Sequence, residues 1–182
     1  AANPNIGERT QMLLAREPIY ARDPKIQHAL AHNPGLSPSA TREMLSNPVA
    51  RDDAIRLPLV LNAVRQSHKL HSKANAAFSA ICEEIANSST EPNVAIQAKA
   101  LQGIRNESTL RELTERSINN HQVRAMANLA KNPSLPADAA GAILAYPLSR
   151  VIVGKESQAD LQRKVARENG RLIIENDSPS PT

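Results

Sequence analysis

The histidines His68 and His71 are the strongest candidates in this sequence for metal-binding chemistry. On a helix, residues three apart share a face, and neutral imidazoles are good ligands for transition metals. Glu83 or Glu84 on a neighbouring helix would then be the third ligand. Nothing else in the chain supports this arrangement, so we expect no metal and no other cofactor.

Residues that could catalyse a reaction are present, but not in a catalytic pattern. Glu83 and Glu84 are adjacent, so on a helix their carboxylates point apart and cannot act as a paired acid and base. The chain has no nucleophile elbow and no glycine-rich loop that would cradle a phosphate. Its one cysteine, Cys82, excludes an intramolecular disulfide framework and lies in an apolar run, which favours a buried structural thiol. We therefore expect a protein without enzymatic activity.

Positive charge gives the one indication of a binding partner. The formal net charge is +4, and no Asp or Glu lies between Asp53 and Glu83. That interval contains a set of basic residues that we name the basic stripe: Arg56, Arg65, His68, Lys69 and Lys73. The last four are three or four residues apart and would share one face of a helix, which attracts phosphate or an acidic partner. A solvated helix face without a partner is the alternative interpretation.

Two distant segments of the chain match position for position. Asn33-Pro34-Gly35-Leu36 matches Asn132-Pro133-Ser134-Leu135 at an offset of 99 residues (132 − 33). We name these segments the corners 33–36 and 132–135. The same offset pairs Leu30 with Leu129, Ala31 with Ala130, Ala40 with Ala139, Leu45 with Leu144 and Pro48 with Pro147. A third copy begins at Asn3-Pro4-Asn5-Ile6. Such a match predicts a helical-repeat architecture in which the corners fix the angle between helices.

Composition and proline-marked boundaries predict an all-α fold. Aromatic residues make up only 2% of the chain, and good helix formers are abundant. Asp23-Pro24 and Ser37-Pro38 predict helix starts, because the first residue can cap free N–H groups and proline suits the first turn. Pro48 predicts a helix end. The predicted helices include residues 6–16, with Met12, Leu13 and Ala15 toward the core, and residues 25–32, 108–117, 121–131 and 158–169. A further apolar series at helical spacing runs through residues 57–85.

The corners carry a resemblance to a known family. With Val123-Arg124 and Leu129-Ala130 upstream, the second corner resembles the leucine-rich repeat variant, whose consensus is roughly Val-Arg-x-x-Val-Ala-x-Asn-Pro-x-x-Pro-x-x-x-Leu. That family is a bacterial relative of HEAT-type helical repeats, and HEAT-like is the broader name that suits the longer units found here. The resemblance implies a right-handed helical superhelix used for binding, with no catalytic residues. Some members carry a Cys-rich iron–sulfur module, which a single cysteine does not imply.

These observations together predict one helical-repeat domain over residues 1–175, followed by a disordered tail over residues 176–182. We expect a right-handed α-solenoid of about five to six hairpins. The predicted function is a scaffold that binds a protein on its concave face. The alternative is DNA-backbone binding through the basic stripe, although three aromatic residues offer no stacking platform for single strands. No apolar run is long enough for a membrane span and no secretory leader opens the chain, so we expect a cytoplasmic protein.

Overall fold

The structure, a computed structural model, describes residues 3, 5–69, 73–88, 91 and 93–176, without the side chains of 171–176. Over these residues the chain forms twelve α-helices and no β-strand, which confirms the all-α prediction. None of the helices in this described part is both long and apolar enough to cross a membrane. The helices are α1 Glu8–Arg16, α2 Pro18–Ala21, α3 Pro24–Ala31, α4 Pro38–Ser46, α5 Asp53–Ser67, α6 Asn75–Ala86, α7 Val94–Ala100, α8 Glu107–Asn119, α9 Val123–Leu129, α10 Ala137–Ala145, α11 Ser149–Val153 and α12 Lys155–Asn176.

Packing contacts divide the chain into two compact units, Ala1–Ile104 and Arg105–Thr182. In the first unit, α1, α4 and α6 pack in succession as one row, and α3, α5 and α7 pack as a second row. Its core includes the fully buried Leu30, Met44 and Leu59. In the second unit, α8, α10 and α12 pack in succession, and α9 contacts α8 and α11. The single domain predicted from the sequence stays a prediction, and the predicted tail lies outside the described residues except for Asn176, which ends α12.

Side-chain caps start the helices where the sequence predicts them. Asp23 Oδ1 accepts from the Lys25 N–H at 2.8 Å, and Ser37 Oγ accepts from the Ala40 N–H at 3.2 Å. These bonds satisfy donors that have no partner within the helix. At the other end of α4, Asn47 is extended because it precedes Pro48. Both predicted starts and the predicted stop are therefore confirmed.

The apolar series 57–85 is divided between two helices, since α5 ends at Ser67 and α6 begins at Asn75. One detail of the helix prediction is wrong. Leu13 does not face the core, because 48% of it is exposed, whereas Ala15 two residues later is buried. An apolar side chain at helical spacing is thus not always turned inward.

Helix boundaries in the two units follow the 99-residue offset of the sequence match. α1 and α8 begin at Glu8 and Glu107, and α3 and α9 begin at Pro24 and Val123. The helices after the corners, α4 and α10, both have nine residues and end at the same offset. Each is followed by an extended residue before a proline. The sequence match therefore corresponds to the same local succession of helix, corner and helix.

One difference between the units explains a buried glutamine. Pro18 separates α1 from α2, whereas α8 continues through Ser117 at the matching position. Proline has no N–H, so the Leu14 carbonyl loses the donor that a continuous helix would supply. Gln27 Nε2 replaces that donor at 2.8 Å. In the second unit, where the helix is unbroken, the residue at the position of Gln27 is the fully buried Met126.

Replacing Gln27 with methionine is expected to lower the free energy of unfolding by about 1–3 kcal/mol, because the half-buried Leu14 carbonyl is left without a donor. In a Pro18→Ser background, which restores a backbone N–H at that position, the same replacement should cost clearly less. Urea unfolding followed by circular dichroism on the four variants of this cycle measures the difference. An equal loss in both backgrounds would contradict the explanation.

Candidate interaction surface

The basic stripe predicted from the sequence does not lie on one helix. α5 ends at Ser67, so Arg65 is in its last turn and His68 is the first residue after it. Lys69 lies beyond the helix end, and Lys73 follows a stretch outside the described residues. The expectation of one shared helix face is therefore wrong, because the helix ends before its turns can align these cations.

Two members of the basic stripe are engaged within the first unit. Arg56 Nε donates to the Glu91 carboxylate, and Arg56 Nη1 donates to the Leu45 carbonyl at 3.2 Å. The Glu91 side chain is fully buried and that of Arg56 is 13% exposed. His68 Nε2 lies 2.8 Å from the Gln102 carbonyl oxygen, to which it donates. Arg56 and His68 thus connect elements of the fold and are not free for a partner.

The remaining members of the stripe, Arg65, Lys69 and Lys73, are exposed. Arg65 and Lys69 lie at the C-terminal end of α5, where unpaired carbonyls carry partial negative charge. A cation at this end interacts favourably with the helix itself, whereas a phosphate would meet the same negative end. The structure therefore supports a helix-stabilising role for these two side chains, and a binding role stays a prediction.

The groups considered for metal binding and catalysis do not form a cluster. His71 lies outside the described residues, and within the described residues no three His, Cys, Asp or Glu side chains are placed to hold a metal ion. Burial raises the pKa of Glu83, and a hydrogen bond with Ser79 opposes that effect. Cys82 is buried, as predicted, and burial together with the Glu83 charge raises the pKa of its thiol to about 12.

Cys82 is expected to resist alkylation in the native protein. The thiolate is the reactive form, and a pKa of about 12 leaves roughly one thiol in 10⁴ ionised near pH 8. Iodoacetamide should leave the intact mass of the native protein unchanged and add one carbamidomethyl group in urea. Native labelling as fast as labelling in urea would contradict the burial of this side chain.

The two corners have the same hydrogen-bond geometry. Asn33 and Asn132 are 0% and 1% exposed. Asn33 Oδ1 accepts from the Gly35 N–H at 2.8 Å, and Asn132 Oδ1 accepts from the Ser134 N–H at 2.7 Å. In both, the asparagine N–H donates to the carbonyl three residues earlier, at 3.0 and 2.9 Å. Pro34 and Pro133 follow these asparagines, and a proline biases the residue before it toward an extended backbone.

The same kind of turn forms at Asn47, which the sequence analysis did not name, and at the third copy, which it did. Asn47 Oδ1 accepts from the Val49 N–H at 3.0 Å, and its Nδ2 donates to the Ala21 carbonyl at 2.8 Å. At the third predicted copy, Asn3 Oδ1 accepts from the Asn5 N–H at 3.0 Å. In all of these turns, an asparagine Oδ1 accepts from the backbone N–H two residues later. Asn47 was missed because its counterpart at the 99-residue offset is a tyrosine.

Different side chains satisfy the carbonyls of the two corners. In the first unit, Asn62 of α5 donates to the Asn33 carbonyl at 2.8 Å, and Gln66 donates to the Pro34 carbonyl. In the second unit, one ammonium replaces both amides. Lys164 Nζ of α12 lies 2.8, 3.0 and 3.2 Å from the carbonyl oxygens of Asn132, Pro133 and Leu135. Its three protons match these three acceptors.

The two units also differ at the residue that precedes the helix after each corner, which is Ser37 before α4 and Pro136 before α10. The Ser37 N–H donates to Gln11 Oε1 at 2.7 Å, and Gln11 Nε2 donates to the Gly35 carbonyl at 2.8 Å. The counterpart of Ser37 is Pro136, which has no N–H. The counterpart of Gln11 is Leu110, which is fully buried and apolar. The acceptor thus disappears together with the donor that required it.

Exposed apolar side chains lie on the row formed by α3, α5 and α7. On α5, Leu57 and Leu61 are 40% and 36% exposed, and Arg65 continues this face one turn further. We name these three residues the α5 face. Val94 at the start of α7 is 63% exposed. The three residues of the α5 face are four apart, which places them on one side of α5.

The other row of the first unit is polar over its last two helices. Within their described residues, α4 and α6 expose no large apolar side chain. Arg42 of α4 instead pairs with Glu84 of α6 at 3.0 Å, and both side chains are largely exposed. On α1, Leu13 is the exception. The two rows therefore differ in the chemistry that they present to solvent.

The second unit has a groove between its corner and α12, which we name the corner groove. It has a volume of about 330 Å³, and its charged residues are Lys131, Asp160, Arg163, Lys164 and Arg167. Arg163 contacts Asp160 at 3.1 Å. Burial lowers the pKa of Lys164, against the opposite effect of the Asp160 charge. Within the described part of the chain, the side chains of Lys131 and Arg167 have no ion-pair or hydrogen-bond partner.

Comparisons of the chain with protein-family models, with curated proteins and with solved structures found no match. The functional argument accordingly depends on the two surfaces just described, the α5 face and the corner groove.

Proposed function

We propose that the protein is a non-enzymatic scaffold that binds another protein through the row of α3, α5 and α7. The observation that carries this proposal is the α5 face. Leu57 and Leu61 stay exposed on α5, whereas Leu59, Val60 and Ala63 of the same helix are buried. Exposed leucines next to an arginine, on a rigid helix, have the composition of a protein interface, where burial of apolar area provides the driving force.

The Asn-Pro corners have a structural role in this proposal. Their asparagines are buried, and each side chain accepts a hydrogen bond from its own turn. Partners would then contact the helix faces that the corners position. The right-handed solenoid, the concave binding face and the leucine-rich-repeat-variant or HEAT-like family all stay predictions from the sequence, which the matching helix boundaries of the two units support.

A protein partner fits the α5 face better than nucleic acid does. Of the five residues of the basic stripe, Arg56 and His68 are engaged internally. Arg65 is flanked on its own face by two leucines rather than by further cations. DNA-backbone binding through the stripe would need several unpaired cations on one surface.

Photo-crosslinking tests the proposal. A photoreactive amino acid at Leu57 should capture a protein from cells of the native host, whereas the same group at Arg42 on α4 should not. Replacing Leu61 with serine should weaken capture at Leu57, and nuclease treatment should not. Capture that is equal at both positions would contradict a specific α5 face. Capture of nucleic acid, lost steeply with rising salt and on replacing Arg65 and Lys69 with glutamate, would favour the DNA alternative.

A further inference from the structure

The corner groove of the second unit carries more positive charge than the corner needs for its structure. The first unit provides the comparison within the same chain, because the corner 33–36 has the same turn and the same buried asparagine. There, neutral amides of Asn62 and Gln66 satisfy the corner carbonyls. The position of Lys131 is occupied by His32. The structural task thus does not require cations.

The charge in the corner groove also has a cost. Lys164 gives up part of its hydration where it reaches the corner, and like charges lie on both sides of it on α12. Arg163 and Arg167 are four residues apart, so their side chains project from the same side of that helix. Lys131, which precedes the corner, lines the same groove. Only Asp160 opposes these four cations within the groove, which leaves a formal excess of three positive charges.

We propose that the corner groove binds an acidic segment of a protein partner, with Lys131 and Arg167 as the main contacts to its carboxylates. This inference deepens the scaffold function and depends on it. Arg167 presents a planar fork of donors that matches a carboxylate, and Lys131 adds a second positive charge in the same groove. Arg163 shares its guanidinium between Asp160 and the incoming carboxylate.

The shape and the remaining charge of the groove favour an acidic peptide over nucleic acid. Its volume of about 330 Å³ accommodates a few side chains rather than a length of backbone. Asp160 would repel a continuous line of phosphates. A peptide can place its carboxylates on either side of Asp160, because they are spaced along its chain. Ala130 and Pro133 add apolar surface at one wall, where small apolar residues of the peptide can pack.

Titration of the full ¹⁵N-labelled chain with a short capped glutamate–alanine peptide tests this inference. Saturable shifts should appear in amide signals of residues 130–132, 134 and 157–167, and a lysine–alanine peptide should produce none. The double variant Arg163→Gln/Arg167→Gln should bind about fivefold to tenfold more weakly. The matched variant Arg9→Gln/Arg16→Gln, which removes the same charge from exposed positions on α1 of the first unit, should change affinity less than about twofold.

Three results would overturn the inference. They are the absence of saturable shifts at these residues, equal weakening by the two double variants, and tighter binding of an oligothymidylate than of the acidic peptide at the same residues. Lys164 is left unchanged because the corner depends on it, and thermal melting verifies that the variants fold. Failure here, with crosslinking at Leu57 intact, would reject the groove alone. Failure of that crosslinking would instead reject the scaffold function proposed for the α5 face.

Discussion

Replacing Arg56 with methionine is expected to lower the free energy of unfolding by about 3–5 kcal/mol. The change leaves the Glu91 carboxylate, whose side chain is fully buried, without its cation. It also removes the donor to the Leu45 carbonyl. Urea unfolding at neutral pH, followed by circular dichroism, measures the loss.

Two further variants test whether the loss comes from the unpaired buried charge. Arg56→Met combined with Glu91→Gln should recover most of it, because an amide keeps an acceptor for the Asn93 N–H without a net charge. Arg42→Met breaks the exposed pair with Glu84 and should cost less than about 1 kcal/mol. Equal losses for Arg42→Met and Arg56→Met would show that burial does not decide the strength of these pairs.

Replacing Asn33 or Asn132 with alanine is expected to lower the free energy of unfolding by about 2–4 kcal/mol each. Either change removes the acceptor for an N–H in the turn and leaves a gap where a buried side chain stood. At Asn33 it also removes the donor to the Asn3 carbonyl at 3.0 Å. Thermal and urea unfolding measure the loss.

The corner variants also separate a structural role from a binding role. Asn119→Ala, on an exposed asparagine at the end of α8, is the matched control and should stay within about 0.5 kcal/mol of the wild type. At a temperature at which the Asn33→Ala variant is still folded, this change should leave crosslinking at Leu57 unchanged. Loss of crosslinking in a variant that remains folded would place Asn33 in contact with the partner.

The sequence predicts those features of the fold that are encoded locally. The starts at Asp23 and Ser37 and the stop at Pro48 depend on a capping side chain or a missing N–H within a few residues. The break between Ser67 and Asn75 was not predicted, because apolar residues continue at helical spacing on both sides of it. Periodicity alone does not show where a helix ends.

The candidate surfaces depend on tertiary contacts that periodicity does not encode. Arg56 belongs to a buried pair because Glu91, 35 residues away, comes beside it. The corner groove forms because Lys131 comes close to α12, which begins 24 residues later in the chain (155 − 131). A signal for the exposed α5 face was present in the spacing of Leu57, Leu61 and Arg65, but the same helix also carries a buried stripe. Burial on the neighbouring helices decides which stripe faces solvent.

The main packing contacts of the described chain join helices no more than three places apart in chain order. Contacts between helices that are close in sequence cost little loop-closure entropy. These helices can therefore pack before distant parts of the polypeptide are made. Gln11, which accepts from the Ser37 N–H in the turn that opens with Asn33, is made before that turn. Within each unit, the helices therefore pack against neighbours that are made shortly before them, and structure can form in the direction of synthesis.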